Sequence, residues 1–457
     1  MTLREQTRSD WPTVAVIGGG FSGLLTAIHL LRADLDVIVR LVERAPQFGR
    51  GRAYGTENPD HLLNVRVANM SAFPDQPDHF ATWLRAEGDC DGPNAFVSRS
   101  RYGDYLQNLL REHIGDPDNA GRLLLEQDEA VDIDWAQGRS VVRLGLGRSF
   151  PADAVVLAVG SPGLPPAPRG ADQTVASSPN YFANPWSLDF AAVPRGDVLV
   201  IGSGLTMVDT ALSLAGGGRR LTALSRRGLL PRTHAPTTAA DPPAGATDTP
   251  LRALRTLRAH ARANGWREAV DSVRPQTTTI WKSWSAVQRR RFVRHAQTWW
   301  DVHRHRMAPA VAAQVTDLVA AGDLQVFGSH LERIRSVAGG FEATFQRTAD
   351  GHWITRRFTA VINCTGMGGG PELDADDLVA RLARKGAVRP DPLGLGLQVS
   401  DGLQAIGLNG FPTAGLFAVG PLTRGAFWEA IAVPDLRVHT ALISAAVVES
   451  LRTPEVA

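Results

Sequence analysis

The sequence predicts an α/β fold in which one nucleotide-binding pattern occurs twice and a helical insert interrupts the second copy. Three observations predict it. The apolar run Thr13-Val14-Ala15-Val16-Ile17 leads into the turn Gly18-Gly19-Gly20-Phe21-Ser22-Gly23. A second run, Asp197-Val198-Leu199-Val200-Ile201, leads into Gly202-Ser203-Gly204-Leu205-Thr206-Met207. After the second copy comes a long arginine-rich stretch with helical spacing. A short, almost fully apolar run reads as a strand buried on both faces, as in a parallel sheet. The fold class is therefore α/β, with two Rossmann-like dinucleotide-binding domains and a helical insert.

In the first copy each glycine has a separate task. Gly18 permits the tight turn, Gly20 lets a pyrophosphate approach the backbone, and Gly23 lets the helix pack close to the strand. Phe21 and Ser22 open that helix, and its free N–H groups suit an anion. The next strand, Val37 to Glu43, ends in an acid 20 residues beyond Gly23, the position from which a carboxylate accepts hydrogen bonds from a ribose diol. Arg44 follows it. No third crossover comes promptly. The chain enters a non-repetitive stretch, Phe48 to Asp78, of the kind that wraps a flavin, so FAD is the expected ligand. Gly49 to Gly55 supplies flexible backbone there, and His61-Leu62-Leu63-Asn64-Val65 sets polar groups beside apolar ones. Asn64 leans towards a cofactor or active-site role. For His61, a cofactor contact and a satisfied core or surface histidine stand as equal readings.

Residues 121–160 read as a strand meander: Arg122 to Glu126, Ala130-Val131-Asp132-Ile133, and Ser140 to Leu144. Val131 is a candidate cofactor contact within it. Ala154 to Val159 is a buried strand running into Gly160; it resembles the A-T-G segment of FAD/NAD(P) flavoproteins, where the chain passes the pyrophosphate and leaves for the next domain, with Val159 at the middle position. Leu164-Pro165-Pro166-Ala167-Pro168 reads as a linker.

In the second copy Met207 replaces the third glycine, so the helix should sit slightly farther from its strand. Ser203, Leu205 and Thr206 lie between and after the two remaining glycines, Gly202 and Gly204. The following strand, Arg220 to Leu224, ends in Ser225-Arg226-Arg227 with no acid. Arginine beside serine suits a 2′-phosphate, since a guanidinium forks onto phosphate oxygens. NADPH is expected over NADH. Two such sites imply hydride delivery from NADPH to FAD and on to an acceptor.

These motifs resemble class B flavin monooxygenases and N-hydroxylating monooxygenases, and more closely a bacterial FAD/NAD(P)-binding family. The matching pieces are Val16 to Gly23, Ala53-Tyr54 with His61 to Val65, Arg294-His295, Trp300 to Arg306, Asn363-Cys364-Thr365-Gly366, and the tail from Val419 through Trp428-Glu429 to Arg437. Two departures stand out. The fingerprint F-x-G-x-x-x-H-x-x-x-[FY] has no histidine where Tyr181 to Trp186 stands, and an A-T-G-Y segment appears only as Asn363-Cys364-Thr365-Gly366-Met367. The resemblance implies residues 11–165 as the first part of an FAD-binding domain and 166–235 as the first part of an NADPH-binding domain. It then implies 236–320 as a basic helical insert, 321–358 as the NADPH-domain return and 359–457 as the second FAD part.

In the last part, Ala360 to Gly366 reads as a strand-to-glycine crossover re-entering the FAD domain. In related flavoproteins the turn now occupied by Gly420-Pro421 faces the flavin pyrimidine. Trp428 and Glu429 are candidates for the flavin face, with core packing and surface charge as the alternatives.

The insert carries most of the charge asymmetry. The chain has 48 basic and 46 acidic residues, but residues 251–310 hold 13 basic and 3 acidic. Leu251, Leu254 and Leu257 alternate with Arg252, Arg255 and Arg258 on one amphipathic helix. A second helix is expected over about Trp284–Met307. Three readings compete: solvated or internally paired arginines, a substrate lid presenting arginines to an anion, and a nucleic-acid face. His303 and His305 lack a third ligand at zinc spacing.

The function expected is an NADPH-dependent FAD monooxygenase acting through a flavin hydroperoxide on a small nucleophilic substrate, an amine or an anion, with oxygen as co-substrate. The alternatives are a reductase or dehydrogenase with a non-oxygen acceptor, and a non-catalytic flavin-binding protein. Composition excludes a disulfide scaffold: the only cysteines, Cys90 and Cys364, are far apart, and no C-x-x-C occurs. Met1 to Asp10 is polar and no run of roughly 18 apolar residues appears, so a cytoplasmic protein without membrane contact is expected.

Overall fold

The computed structural model describes residues 11–89, 92–136, 138–161, 165–366, 375 and 377–453. Cys90, Pro162, Gly163, Leu164 and Met367 lie outside the described residues, as does Met1 to Asp10.

The first copy opens with β1 (Thr13–Ile17), α1 (Phe21–Leu31) and β2 (Ile38–Glu43). It continues through α2 (Gly51–Tyr54), α3 (His79–Ala86), α4 (Arg99–Gly115), β3 (Leu123–Gln127), β4 (Ala130–Ala136), β5 (Arg139–Leu144), β6 (Ser149–Ala152) and β7 (Ala154–Leu157). The second copy has α5 (Gln173–Ala176), β8 (Tyr181–Phe182), β9 (Gly196–Ile201), α6 (Leu205–Leu214) and β10 (Arg219–Ser225). Five helices follow: α7 (Pro250–Asn264), α8 (Trp266–Val273), α9 (Thr277–Ser283), α10 (Ala286–His295) and α11 (Gln297–Arg304). The chain then runs through α12 (Pro309–Ala321), β11 (Leu324–Val337), β12 (Gly340–Arg347), β13 (Trp353–Phe358) and β14 (Ala360–Asn363). It ends with α13 (Leu378–Arg384), β15 (Gln404–Ile406), β16 (Pro412–Ala418) and α14 (Val433–Arg452).

One sheet has the order β15-β16-β7-β1-β2-β3 and the other β13-β12-β11-β10-β9-β14-β8. Both are parallel at their centres. The period of two along each central strand feeds two cores. Val14 and Val16 of β1 pack with α1 and α14 on one face. Ala15 and Ile17 pack with the β4-β5-β6 layer and α13 on the other. In the second sheet, Val198 and Val200 pack with Met207 of α6 and Val311 of α12. Leu199 and Ile201 meet Phe341, Phe345 and Val361.

The structure differs from the sequence reading in four places. β3 does not join the meander; it pairs in parallel with β2 as an edge of the first sheet. The meander is instead β4-β5-β6. β14 does not re-enter the first sheet: it pairs with β9 and β8 and completes the second. The helix expected over Trp284–Met307 is two helices. Extended Trp284 (φ −86°, ψ 137°) and the Ser285–Gln288 capping box start the first, and Ala296 (φ −115°, ψ −24°) separates it from the second. Finally, α12, at the end of the stretch read as the insert, packs into the core of the second sheet. Among the described residues no helix is long and apolar enough to cross a membrane.

Candidate functional site

The first glycine turn is sterically determined. Gly18 has φ +104°, and a Cβ there would lie 2.5 Å from the Ala158 carbonyl oxygen. A Cβ on Gly23 would fall 1.8 Å from Gly18 O, so only glycine allows this approach of α1 to the turn. Gly20 is different. Nothing crowds its missing Cβ more closely than Gly51 Cα at 3.5 Å, and it caps α1 with no side-chain bond to the first N–H groups. Those donors are what an anion would satisfy. Glu43 Oε2 accepts from Gly19 N at 2.7 Å and Oε1 from Ala45 N at 2.9 Å, fixing the carboxylate beside the turn.

The other candidates of this site spread outward. Phe21 and Ser22 are buried at the start of α1. Gly160 has φ +75° with no atom near its missing Cβ. Gly420, at φ +82°, closes on the turn: its Cβ would lie 3.0 Å from Ser22 Oγ, and Pro421 follows half-buried. Val131 is half-buried on β4 beside Gly145. Arg44 is turned away to Glu129 at 3.3 Å.

The second turn repeats the geometry. Gly202 has φ +112°, and its Cβ would lie 2.4 Å from Cys364 O. Gly204 caps α6 with nothing within 4 Å of its missing Cβ, and Leu205 and Thr206 begin the helix half-buried. Gly366, at φ +92°, is as open as Gly160. Where the first site has its acid, Ser203 Oγ lies 2.8 Å from Ser225 Oγ and 2.6 Å from Leu229 O.

Arg226 and Arg227 are exposed on one wall of a pocket of about 470 Å³. The insert supplies the other wall with Arg294, Thr298 and Trp299, and the Arg227 guanidinium lies 5.4 Å from the Trp299 ring centre. Among the described residues none of these three arginines pairs with a carboxylate. Sequence reasoning did not place Arg294 or Trp299 here, because the insert's docking is a tertiary fact with no local signal.

Two candidates are drawn towards the second sheet. His61 has no ring nitrogen left for a cofactor: Nδ1 is 2.8 Å from Thr56 Oγ1, and Nε2 is 2.9 Å from Asp209 O and 2.8 Å from Ser213 Oγ. It ties its loop to α6, as Arg99 does through Asp209 at 2.9 Å. Leu62 packs on the core of the second sheet.

Asn64 keeps its candidacy. Its carbonyl accepts from His234 Nε2 at 3.0 Å, and its side-chain amide has no partner among the described residues. Burial pushes His234 down to about 4, and its Nδ1 is buried without a partner. The imidazole is thus neutral at the junction of the two domains.

Trp428 and Glu429 are both buried, with partners from the insert. The Trp428 ring lies 4.7 Å from Trp281 and under Arg424 at 4.4 Å. Glu429 accepts from Trp300 Nε1 at 3.0 Å and stands 3.3 Å from Arg304 Nε. Glu429 is therefore not a surface charge. Both residues are held by the insert, which does not favour placing them on the flavin. Asp301 adjoins this cluster, its carboxyl pushed up to about 6 by burial against the pull of Arg424. His305 is driven down to about 3 by burial and neighbouring arginines. Cys364 is buried and its thiol pushed up to about 12 by desolvation, an inert side chain.

Five of the 13 basic residues of 251–310 pair with carboxylates. Arg252, Arg274, Lys282, Arg304 and Arg306 pair with Asp248, Asp435, Asp401, Glu429 and Asp271. Ion pairing thus accounts for part of the insert's charge.

Residues 15–162 match the family described as FAD-NAD(P)-binding. This part of the chain is an FAD–NAD(P)-binding domain. The chain is 22% identical over 215 residues to the uncharacterized protein YdhS of Escherichia coli K12, covering 44% of this chain and 39% of that protein. It is 26% identical over 236 residues to nitrosuccinic acid synthase npaA of Aspergillus oryzae, covering 46% of this chain and 36% of that protein. The matches thus span well under half the length of these curated relatives. A solved ornithine N-hydroxylase of Kutzneria sp. 744, with reduced FAD, NADP⁺ and L-ornithine in its description, superposes with a TM-score of 0.65. That match has 15% identity over 96% of this chain and 100% of the other, a likeness of fold.

Proposed function

We propose that the protein is an FAD-dependent, NADPH-preferring monooxygenase that hydroxylates a nucleophilic substrate, an amine or an anion. One observation carries the reading. A single chain holds two turns of matched backbone geometry, one answered by the acid Glu43 and the other by the unpaired Arg226, Arg227 and Arg294. Glu43 and the bare α1 N-terminus fit the adenosine and pyrophosphate of FAD, while the arginines fit a 2′-phosphate. The shared fold with an ornithine N-hydroxylase and the partial likeness to a nitrosuccinic acid synthase support a nitrogen substrate.

Bound FAD would supply two-electron acceptance from the nicotinamide and oxygen activation. The protein's own residues do the rest. Arg226, Arg227 and Arg294 hold NADPH by its phosphate. Gly20 and Gly204 let each pyrophosphate reach helix N–H groups. Neutral His234 and the free Asn64 amide offer hydrogen bonds at the junction without adding charge. The reaction balances as NADPH, a proton, oxygen and R–NH₂ giving NADP⁺, water and R–NHOH.

The test is to purify the yellow protein, add NADPH or NADH without oxygen, and then admit oxygen. Bleaching by NADPH at least tenfold faster than by NADH, followed by oxygen uptake, is the expected outcome. Bleaching without reaction with oxygen would put a reductase in its place. No bleaching by either nucleotide removes both enzyme readings.

A further inference from the structure

Helices α7 to α11, with Trp428, line an open cavity of about 570 Å³. Its wall carries Trp266, Trp281, Trp284, Trp299, Trp300 and Trp428, six of the chain's 11 tryptophans. Three of these indole N–H groups are turned away and satisfied. Trp281 donates to Gly425 O at 2.8 Å, Trp284 to Thr247 O at 2.8 Å and Trp300 to Glu429 Oε1 at 3.0 Å. These three donors are unavailable to a ligand and the lining is mainly apolar, which suits an apolar, planar occupant.

One side of the cavity is closed by α7, and α7 has an unusual property. None of its 15 residues is buried, yet Leu254, Leu257 and Ala261 line the cavity. A helix of this length depends on packing for its stability. An occupant would supply the contacts that this apolar stripe lacks. Arg258, exposed in the lining, adds a cation, and His295 is exposed there as well. The cavity also adjoins the nucleotide site, since Trp299 lines both it and the arginine pocket. Trp428 brings in the segment that follows the Gly420 turn.

We propose that this cavity is a ligand site for an aromatic molecule with an acidic end, closed by α7 as a lid. Resting on the oxidoreductase reading above, this ligand is the substrate, its ring system held by the tryptophans and its acid by Arg258. The size of the cavity makes the substrate bulkier and more apolar than the small nucleophile expected from the sequence.

The test uses the FAD-loaded full chain and 8-anilinonaphthalene-1-sulfonate, an aromatic anion. Probe emission and tryptophan quenching should titrate together to one site per chain. Leu257→Arg should weaken binding at least tenfold, with FAD content unchanged as the check on folding. Leu251→Arg, on the same helix but outside the cavity, should leave both binding and NADPH-driven bleaching unchanged. Ala261→Trp, which fills the cavity without adding charge, should block the probe as Leu257→Arg does. 1-Naphthoate should displace the probe at least tenfold better than 1-naphthylmethylamine. Absence of saturable one-to-one binding, or binding indifferent to both cavity variants, overturns the site. Equal competition by the acid and the amine overturns its preference for an acidic end. If the probe binds as expected but neither nucleotide bleaches the flavin, the ligand site stands and the oxidoreductase reading falls.

Discussion

The two nucleotide turns share a backbone and differ in side chains. Gly20 caps α1 at φ −74°, ψ −166°, and Gly204 caps α6 at φ −83°, ψ −169°. Each first glycine is pressed against a carbonyl of the neighbouring crossover, Ala158 for Gly18 and Cys364 for Gly202. Each crossover ends in an open glycine, Gly160 or Gly366. The third position and the end of the second strand diverge: Gly23 against Met207, and Glu43 against Ser225 with its arginines. On the proposed reading the shared backbone would receive a phosphate at both turns, and the side chains at two positions would separate one nucleotide from the other.

The largest effect should come from exchanging the third position. Gly23→Ala places a methyl 1.8 Å from Gly18 O, so α1 must move off the turn. A loss of about 3 kcal/mol is expected, with little FAD retained. The ratio of flavin to protein absorbance and the melting temperature check this. Retention of both would mean that the two sites do not differ in helix packing after all. The reverse change, Met207→Gly, should cost a similar but somewhat smaller amount, about 2–3 kcal/mol, for a different reason. It empties a fully buried side-chain volume, and a small change in NADPH affinity should accompany a clear fall in melting temperature.

How much of this contrast was legible in the sequence follows from its physical range. The glycine turns, Glu43 and the arginines after Ser225 are local: one residue's steric limits or charge act within a few positions, so spacing reveals them. β3 and β14 were misplaced because strand partners are chosen by the whole sheet, and an apolar run does not state which neighbour it will pair with. His61 could not be separated from a cofactor ligand, because its partners, Asp209 and Ser213, lie far along the chain. The tryptophan cavity left no periodic signal, since its walls come from five helices and from Trp428.

Arg294 tests whether the insert belongs to the second site. Arg294→Ala should raise the KM for NADPH about 10-fold or more, the equivalent of one charge-assisted hydrogen bond, and leave NADH use unchanged. Steady-state oxidation of the two nucleotides measures it. Equal losses for both would detach the insert from 2′-phosphate recognition and leave Arg226 and Arg227 to account for it alone.

The smallest and most discriminating comparison sets Glu43→Gln against Ser203→Ala. Glu43 accepts from two backbone N–H groups as an anion, and the amide keeps its shape with one acceptor fewer, so FAD should bind roughly 10-fold more weakly. Ser203 makes a neutral bridge between Ser225 Oγ and Leu229 O, and its removal should cost about 1 kcal/mol of stability. If the bridge only shapes the loop, NADPH and NADH should weaken together by a few-fold in Ser203→Ala. A loss confined to NADPH would instead show that the bridge aims Arg226 and Arg227, making the serine pair the second site's functional counterpart of the Glu43 carboxylate.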